Sequence, residues 1–231
     1  MMKIKTILWL WLCMASVMPI HAAQNDALVY RNPVIDVSVP DPTVIRAKDG
    51  YFYLYGTENI RNLPIYRSSN LVDWSFVGTA FTDETRPQWN PKGNIWAPDI
   101  SYIHGKYVLH YAKSEWGGEW TCGVGVATAD KPEGPFTDHG AILISKEIGV
   151  QNSIDPFYYE DGGHKYLFWG SFRGIYAIEL TDDGLKIKEG ARKQQVAGTF
   201  MEAVYVHKRG DYYYLFGSAG SCCEGNRSTY H

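Results

Sequence analysis

Alternating apolar and polar residues form short β-type runs along this chain, and glycine turns separate the runs of each pair. The first example is Asp41–Thr57, in which an acidic residue precedes a β-rich run, an Asp-Gly turn and a second β-rich run. Asp-Gly between two such runs is a strong signal for a β-hairpin. The pattern therefore predicts a hairpin that begins at an acidic residue.

The same pattern occurs three more times, in Asp99–Ser114, Asp155–Ser171 and Glu202–Ser218. Repeats of roughly 50 residues that consist only of strands are typical of β-propeller blades. Third strands are predicted at Pro64–Ser68, Gly123–Thr128 and Gly174–Leu180, each followed by a turn-rich piece and a fourth strand. No helical periodicity of useful length appears beyond residue 24, so the predicted fold class is all-β.

The fourth repeat contains its hairpin and stops at Ser228–His231, where a third strand is expected to begin. A propeller closes into a ring that hides the edges of its sheets. We therefore expect residues 24–231 to be an incomplete propeller domain, about three and a half blades of a longer protein.

The N-terminus has the order of a secretory signal peptide. A short basic region, Met1–Lys5, is followed by the apolar run Ile7–Ile20 and by small residues at Ala22 and Ala23. This order predicts a signal peptide over residues 1–23 and a secreted or periplasmic protein. The apolar run is too short to span a bilayer comfortably, so no transmembrane segment is expected after signal removal.

Net charge and aromatic content indicate which kinds of molecule the protein can bind. The formal net charge is -3, and no basic face is available to neutralise phosphates, which argues against a nucleic-acid partner. Aromatic residues make up 15% of the chain. They suit packing within pleated sheets, and they also suit stacking against sugar rings.

The acidic residues that begin the repeats are the candidates for chemistry. The first strand of each propeller blade lines the central channel, so Asp41, Asp99, Asp155 and Glu202 are expected to converge at one mouth of it. Clustered carboxylates raise one another's pKa values, and glycoside hydrolysis needs one protonated and one ionised carboxyl group. In the alternative interpretation each acid only accepts backbone N–H bonds at a strand start. Glu202 favours the catalytic interpretation, because its carboxyl group reaches one methylene further than that of an aspartate.

Four short motifs together resemble glycoside hydrolase family 43. They are Val39–Thr43, Ile95–Asp99, Ser153–Pro156 and Met201–Ala203. The resemblance extends over roughly residues 30–231 and implies a five-bladed β-propeller that cleaves glycosidic bonds with inversion of configuration.

The resemblance also implies a role for each acid. Asp41 matches the general base that activates water, and Glu202 matches the general acid. Asp155 matches the residue that tunes the pKa of the acid and orients it, whereas Asp99 matches a position that is mainly structural. Inversion requires the base and the acid to lie about 6.5–9.5 Å apart, which leaves room for the water molecule.

The segment Ser221–Tyr230 resembles the Cys-Cys segment of endo-acting α-1,5-L-arabinanases, which implies arabinan or arabino-oligosaccharides as substrate. The loop Ser114–Cys122 departs from the arabinanase pattern and leaves an exo-acting α-L-arabinofuranosidase or β-xylosidase open. A non-catalytic, carbohydrate-binding propeller fragment is the alternative from another class.

Trp96, Asn152 and Ser171 are candidates for binding the sugar, and Trp89, Trp116 and Trp120 are weaker candidates in loops. Packing between blades is an equally good interpretation of Trp96. The resemblance implies no cofactor for the chemistry itself. Many members of the family hold a calcium ion in the channel with help from a His of the last blade. That His is expected beyond this chain, so no metal ligand is assigned.

Overall fold

Hairpins dominate the computed structural model, which describes residues 30–90, 92–220 and 229–230. The chain divides into residues 1–31 and a second unit of residues 32–231, to which every element named below belongs. The predicted signal peptide, residues 1–23, lies outside the described residues. Among the described residues, no helix has the length and apolar character needed to cross a membrane.

Within the described part of the chain, fifteen strands and one helical turn follow in order. The first two sheets contain β1 Thr43–Arg46, β2 Phe52–Tyr55, β3 Pro64–Ser68, β4 Ser75–Thr79, β5 Asn94–Ile103, β6 Lys106–Ser114, β7 Gly123–Ala129 and β8 Thr137–Ile144. The helical turn α1, Ser145–Ile148, leads to β9 Phe157–Asp161, β10 His164–Ser171, β11 Gly174–Glu179 and β12 Gln194–Ala197. The last sheet contains β13 Glu202–Arg209, β14 Tyr212–Ala219 and β15 Thr229–Tyr230.

Each sheet is an antiparallel meander whose strands pair in chain order. We call the four sheets blades 1 to 4; in the described residues the first three have four strands each and blade 4 has three. The inner strands β1, β5, β9 and β13 line one cavity of about 850 Å³, which is the central channel. The predicted all-β propeller and the three predicted third strands are confirmed.

Aromatic side chains fill the space between blades 1 and 2. Tyr53, Tyr55, Phe81 and Tyr111 are almost completely buried in one cluster there. The rings of Phe81 and Tyr111 meet edge to face with their centroids 5.8 Å apart, a favourable geometry for aromatic pairs. Much of the aromatic content therefore packs blade against blade, and this packing fixes the position of the inner strands around the channel.

Candidate active site

A residue with left-handed backbone stands at the channel mouth of each blade. The four are Asp41 (φ 49°), Ala97 (φ 38°), Asp155 (φ 55°) and Ala203 (φ 52°). In every blade, the residue two positions after the left-handed one lies on the inner strand and pairs with a residue of the second strand. The four pairs are Thr43–Tyr55, Asp99–His110, Phe157–Phe168 and Tyr205–Phe216. The four blades therefore share one register at the mouth.

This register corrects the prediction that one acid stands at the same place in every repeat. Asp41 and Asp155 are equivalent, because both are the left-handed residue. Asp99 lies two residues later, within β5, and Glu202 lies one residue earlier. The same irregular pairing occurs at the mouth of all four blades, as when a β-bulge adds a residue to one strand, so it does not itself displace either acid.

Left-handed backbone is costly for a residue with a side chain, by roughly 1–2 kcal/mol. Such residues persist where the surrounding structure holds them, and they cluster at functional sites. Proline follows three of the four, at Pro42, Pro98 and Pro156. A proline moves the residue before it toward extended backbone, so the left-handed conformation in those three blades is held by the surrounding structure and not by the proline.

The structure brings the four predicted acids together. Asp41, Asp99, Asp155 and Glu202 all line the central channel. Asp41 is exposed to solvent, whereas the other three are half-buried. Four carboxyl groups from four separate blades therefore share one cavity, as expected from the repeat.

Three of these carboxyl groups, Asp99, Asp155 and Glu202, hold their protons more tightly than usual. Surrounding protein desolvates Asp155, and the charges of Asp41 and Glu202 add to this effect, so the pKa of Asp155 lies well above its ordinary value. Burial and the charge of Asp41 also raise the pKa of Glu202. The cluster thus contains carboxyl groups that are protonated at a pH where an exposed carboxyl is ionised.

Backbone and side-chain bonds hold the acids in place. The N–H of Ala203 donates to Oδ2 of Asp155 over 3.3 Å, which ties blade 3 to the residue after Glu202. The hydroxyl of Thr57 donates to Oδ2 of Asp41. The same hydroxyl oxygen accepts the N–H of Ala97 over 2.7 Å, and this bond links blade 1 to blade 2.

Asp99 connects three inner strands. Its Oδ1 accepts the hydroxyl of Thr43 in β1 over 3.1 Å, and its Oδ2 accepts the N–H of Tyr158 in β9 over 2.6 Å. These bonds fit the structural role that the resemblance implied. Burial raises the pKa of Asp99 to about 7, and the two hydrogen bonds offset only part of that increase.

We expect Asp99→Asn to make the free energy of unfolding less dependent on pH. The native protein keeps a proton on Asp99 up to about pH 7, whereas the unfolded chain loses it near the ordinary value of 3.8, so stability falls between these values as the pH rises. The substituted asparagine does not titrate, and its amide can still accept from Tyr158 and donate to Thr43. Relative to the parent, the variant should gain about 3 kcal/mol more at pH 7.5 than at pH 4.5, since each unit of pKa difference corresponds to about 1.4 kcal/mol.

Urea unfolding of both proteins at the two pH values measures this difference. Asp211→Asn, which replaces an exposed carboxyl in the turn between β13 and β14, is the matched control. If the free energies of unfolding of Asp99→Asn and the parent differ by the same amount at both pH values, the expected linkage is contradicted.

The three predicted sugar-binding residues lie outside the set that lines the channel. Trp96 is half-buried, packs against a small cluster that includes Cys122, and contacts the ring of Trp116 at a centroid distance of 5.6 Å. Asn152 donates from Nδ2 to the hydroxyl of Ser171 over 2.8 Å. The assignment of these residues to sugar binding stays a prediction.

Trp96 and Asn152 nevertheless lie beside the mouth. Trp96 directly precedes Ala97, a channel-lining residue, and Asn152 is three residues before Asp155. Ser171 is only 1% exposed, so its geometry favours orienting Asn152 over direct contact with a sugar. The loop Ser114–Cys122 is fastened to the same region, because the carbonyl of Glu119 accepts the N–H of Asn152 over 2.7 Å.

Exposed tryptophan in this loop gives the mouth an aromatic border. Trp116 is 81% exposed and Trp120 is 50% exposed. An exposed indole face is an energetically favourable surface for the apolar face of a sugar ring. The loop that departs from the arabinanase pattern therefore presents both aromatic rings to solvent next to the candidate site.

Sequence reasoning missed an ion pair that supports the mouth. Glu58 and Arg86 form a bidentate pair, with N–O distances of 2.6 and 2.8 Å, and both side chains are only 6% exposed. Glu58 also accepts the N–H of Ile95 over 2.8 Å, so the pair fixes the start of β5. Although burial acts to raise the pKa of Glu58, the arginine and two backbone N–H bonds hold that pKa below its ordinary value. Neither residue belongs to a repeated motif, and no sequence signal marks them.

Among the described residues, no group of three or more His, Cys, Asp or Glu side chains is placed to hold a metal ion. The calcium ion that the resemblance implied stays an expectation, and the proposed chemistry passes through no metal. The Cys-Cys segment that resembles arabinanases falls largely on residues 221–228, which lie outside the described residues.

Comparison with known proteins agrees with this geometry. The family model described as glycosyl hydrolases family 43 matches residues 30–231. Arabinan endo-1,5-α-L-arabinosidase A of Aspergillus niger is 34% identical over 193 residues, which are 79% of this chain and 59% of that protein. An extracellular exo-α-(1→5)-L-arabinofuranosidase of Cellvibrio japonicus is 32% identical over 222 residues, covering 84% of this chain and 62% of that protein.

Among solved structures, the α-L-arabinanase of Cellvibrio cellulosa complexed with arabinohexaose superposes with a TM-score of 0.74 at 30% identity. The match covers 84% of this chain and 69% of that one. The chain thus spans about three-fifths of the length of the two curated relatives that it matches.

Proposed function

The chain belongs to glycosyl hydrolases family 43, and we propose that it hydrolyses α-1,5-L-arabinofuranosidic bonds in arabinan with inversion of configuration. The observation that carries this proposal is the meeting of Asp41, Asp155 and Glu202 in one channel, with two raised pKa values among them. The resemblance to proteins named as arabinan hydrolases supports the choice of substrate.

Asp41 is the proposed general base. It is the exposed member of the cluster, and the hydroxyl of Thr57 bonds only one of its two oxygens, Oδ2. The other oxygen is available to accept a proton from a water molecule while the water oxygen adds to the anomeric carbon of the arabinosyl unit. The attack comes from the face opposite the leaving group, so a single displacement inverts the anomeric configuration.

Glu202 is the proposed general acid. Its raised pKa keeps the carboxyl protonated to a higher pH than an exposed glutamate, and that proton passes to the glycosidic oxygen as the bond to the anomeric carbon breaks. The aglycone then leaves as a neutral alcohol. At the end of the turnover Asp41 carries a proton and Glu202 is ionised, and exchange with water restores both groups.

Asp155 is the proposed modulator of the acid. It accepts the N–H of Ala203, the residue that follows Glu202, and this bond restrains the backbone on which the acid is carried. The charge of Glu202 contributes to the raised pKa of Asp155, so the two carboxyl groups disfavour being ionised together. Orientation and charge therefore act together on the acid.

Endo action is the first form of the proposal, and exo action is the second. The relative of Cellvibrio japonicus is named as an exo-acting enzyme at an identity close to that of the endo-acting relative of Aspergillus niger. The loop Ser114–Cys122, with exposed Trp116 at the mouth, is a local feature that favours the second form, because a loop at one side of the mouth can limit how a long chain lies across it.

Product analysis tests the proposal. Linear α-1,5-arabinan is incubated with the protein, and reducing ends and product lengths are followed over time. Endo action releases a mixture of oligosaccharides early, whereas exo action releases short products of uniform length. Cleavage of nitrophenyl arabinoside or xyloside alone would contradict action on arabinan, and binding of arabinan with no release of reducing ends would favour the non-catalytic propeller.

We also propose that the protein is exported by its N-terminal signal, residues 1–23, to act on arabinan or arabino-oligosaccharides outside the cytoplasm. An extracellular relative supports this location. Processing is tested by N-terminal sequencing of the protein recovered from the periplasm or the medium, which should begin near Ala23 or Gln24. The proposed acid–base chemistry requires no cofactor.

A further inference from the structure

The hydroxyl of Thr57 has an unusual position between two blades. It is half-buried at the end of β2, next to the mouth, and its oxygen accepts the N–H of Ala97 in blade 2 over 2.7 Å. Its proton is directed to Oδ2 of Asp41 in its own blade. A hydroxyl has a single proton to donate, and an incoming N–H occupies one of its lone pairs. The contact with Ala97 therefore fixes the direction in which the Thr57 proton points.

The register of the blades shows that this hydroxyl is not a general feature of the fold. In each blade, the residue just before the left-handed position pairs with one residue at the end of the second strand. Strand pairing and backbone bonds show that this partner is Thr57 in blade 1, Ala112 in blade 2, Gly170 in blade 3 and Ser218 in blade 4. Blades 1 and 4 carry Asp41 and Glu202. Only these two of the four described blades have a hydroxyl at this point.

We propose that Thr57 is the positioning residue of Asp41, and the assignment rests on the proposed role of Asp41 as general base. The threonine hydroxyl holds Oδ2 as an acceptor and leaves the other carboxylate oxygen aimed at the water molecule. The N–H of Ala97, the left-handed residue of blade 2, holds the hydroxyl in turn. Blade 2 thereby sets the orientation of a carboxylate carried by blade 1.

A double-mutant cycle tests this inference on linear α-1,5-arabinan. Thr57→Val removes the hydroxyl and keeps the shape of the side chain. We expect kcat to fall roughly 10- to 100-fold, the range for a lost hydrogen bond to a charged group, with KM within about two-fold of the parent. Thr57→Ser should recover most of the lost kcat. In the Asp41→Asn background, Thr57→Val should cause little further loss, because its effect acts through the carboxylate.

Thr43→Val is the matched control, since it removes a threonine hydroxyl that bonds the structural Asp99. It should leave kcat within about two-fold of the parent. If Thr57→Val loses the same factor in the parent and in the Asp41→Asn background, or behaves like Thr43→Val, the inference is overturned while the proposed function stands. Full activity of Asp41→Asn would instead remove the proposed function itself. Should Thr57→Val fail to fold, Thr57→Ala and Thr57→Ser decide the same question.

Discussion

Asp41→Asn should lower kcat by roughly 10²- to 10⁴-fold on both arabinan and a nitrophenyl arabinoside, the range expected when a general base is lost. The base acts on the attacking water, and that water is needed whatever the leaving group is. Asparagine keeps the shape of the side chain and can still accept the hydroxyl of Thr57, so the fold is preserved. Initial rates on the two substrates measure the loss.

Asp211→Asn is the control for this variant, because it changes the same residue type at an exposed turn far along the chain. It should keep the activity of the parent. An Asp41→Asn protein that retains parental kcat on either substrate would show that another group activates the water. Anomeric analysis of the parent's first product by nuclear magnetic resonance gives a second test, since inversion is expected from single displacement.

Local sequence signals were sufficient to predict the strands. Glycine turns between alternating runs specify hairpins through interactions of only a few residues, and the predicted third strand Pro64–Ser68 agrees with β3 at both ends. Convergence of the acids also followed from the repeat, because equivalent ends of inner strands meet at one mouth of a propeller channel.

The exact register of the acids could not be predicted for a physical reason. Glycine and asparagine commonly signal left-handed backbone, but two of the four left-handed positions are Ala97 and Ala203. Alanine gives no such signal, so the sequence pattern places Asp99 and Glu202 in register with Asp41, although Asp99 lies two residues after the left-handed position of its blade and Glu202 lies one residue before it. The displacement has a chemical consequence, since it separates the structural acid from the proposed general acid.

Contacts between blades were also beyond local reasoning. Glu58 meets Arg86 and the N–H of Ile95, and Thr57 meets the N–H of Ala97, across gaps in sequence that no short motif spans. These contacts connect the end of β2 to the start of β5. Motifs can identify which carboxyl groups take part in the reaction, whereas the groups that orient them are set by how one blade packs on the next.

Glu202→Gln should show a loss that depends on the leaving group. On arabinan, whose leaving group is a sugar alcohol, kcat should fall by roughly 10²- to 10⁴-fold, because the departing oxygen no longer receives a proton. On a nitrophenyl arabinoside the loss should be much smaller, since nitrophenolate leaves readily without protonation. This contrast separates the acid from the base, whose loss affects both substrates alike.

The pH profile offers a second signature of Glu202. Burial and the charge of Asp41 raise its pKa, so the protonated acid persists to higher pH and the rate on arabinan should fall on the alkaline side as Glu202 ionises. In Glu202→Gln that alkaline fall should disappear from the residual activity, because glutamine does not titrate. Glu189→Gln, an exposed change of the same type, should keep both the parental rate and the parental profile. An equal loss on the two substrates, with the alkaline fall retained, would assign the proton donor to another residue, and Asp155 would be the next candidate because its raised pKa also keeps it protonated.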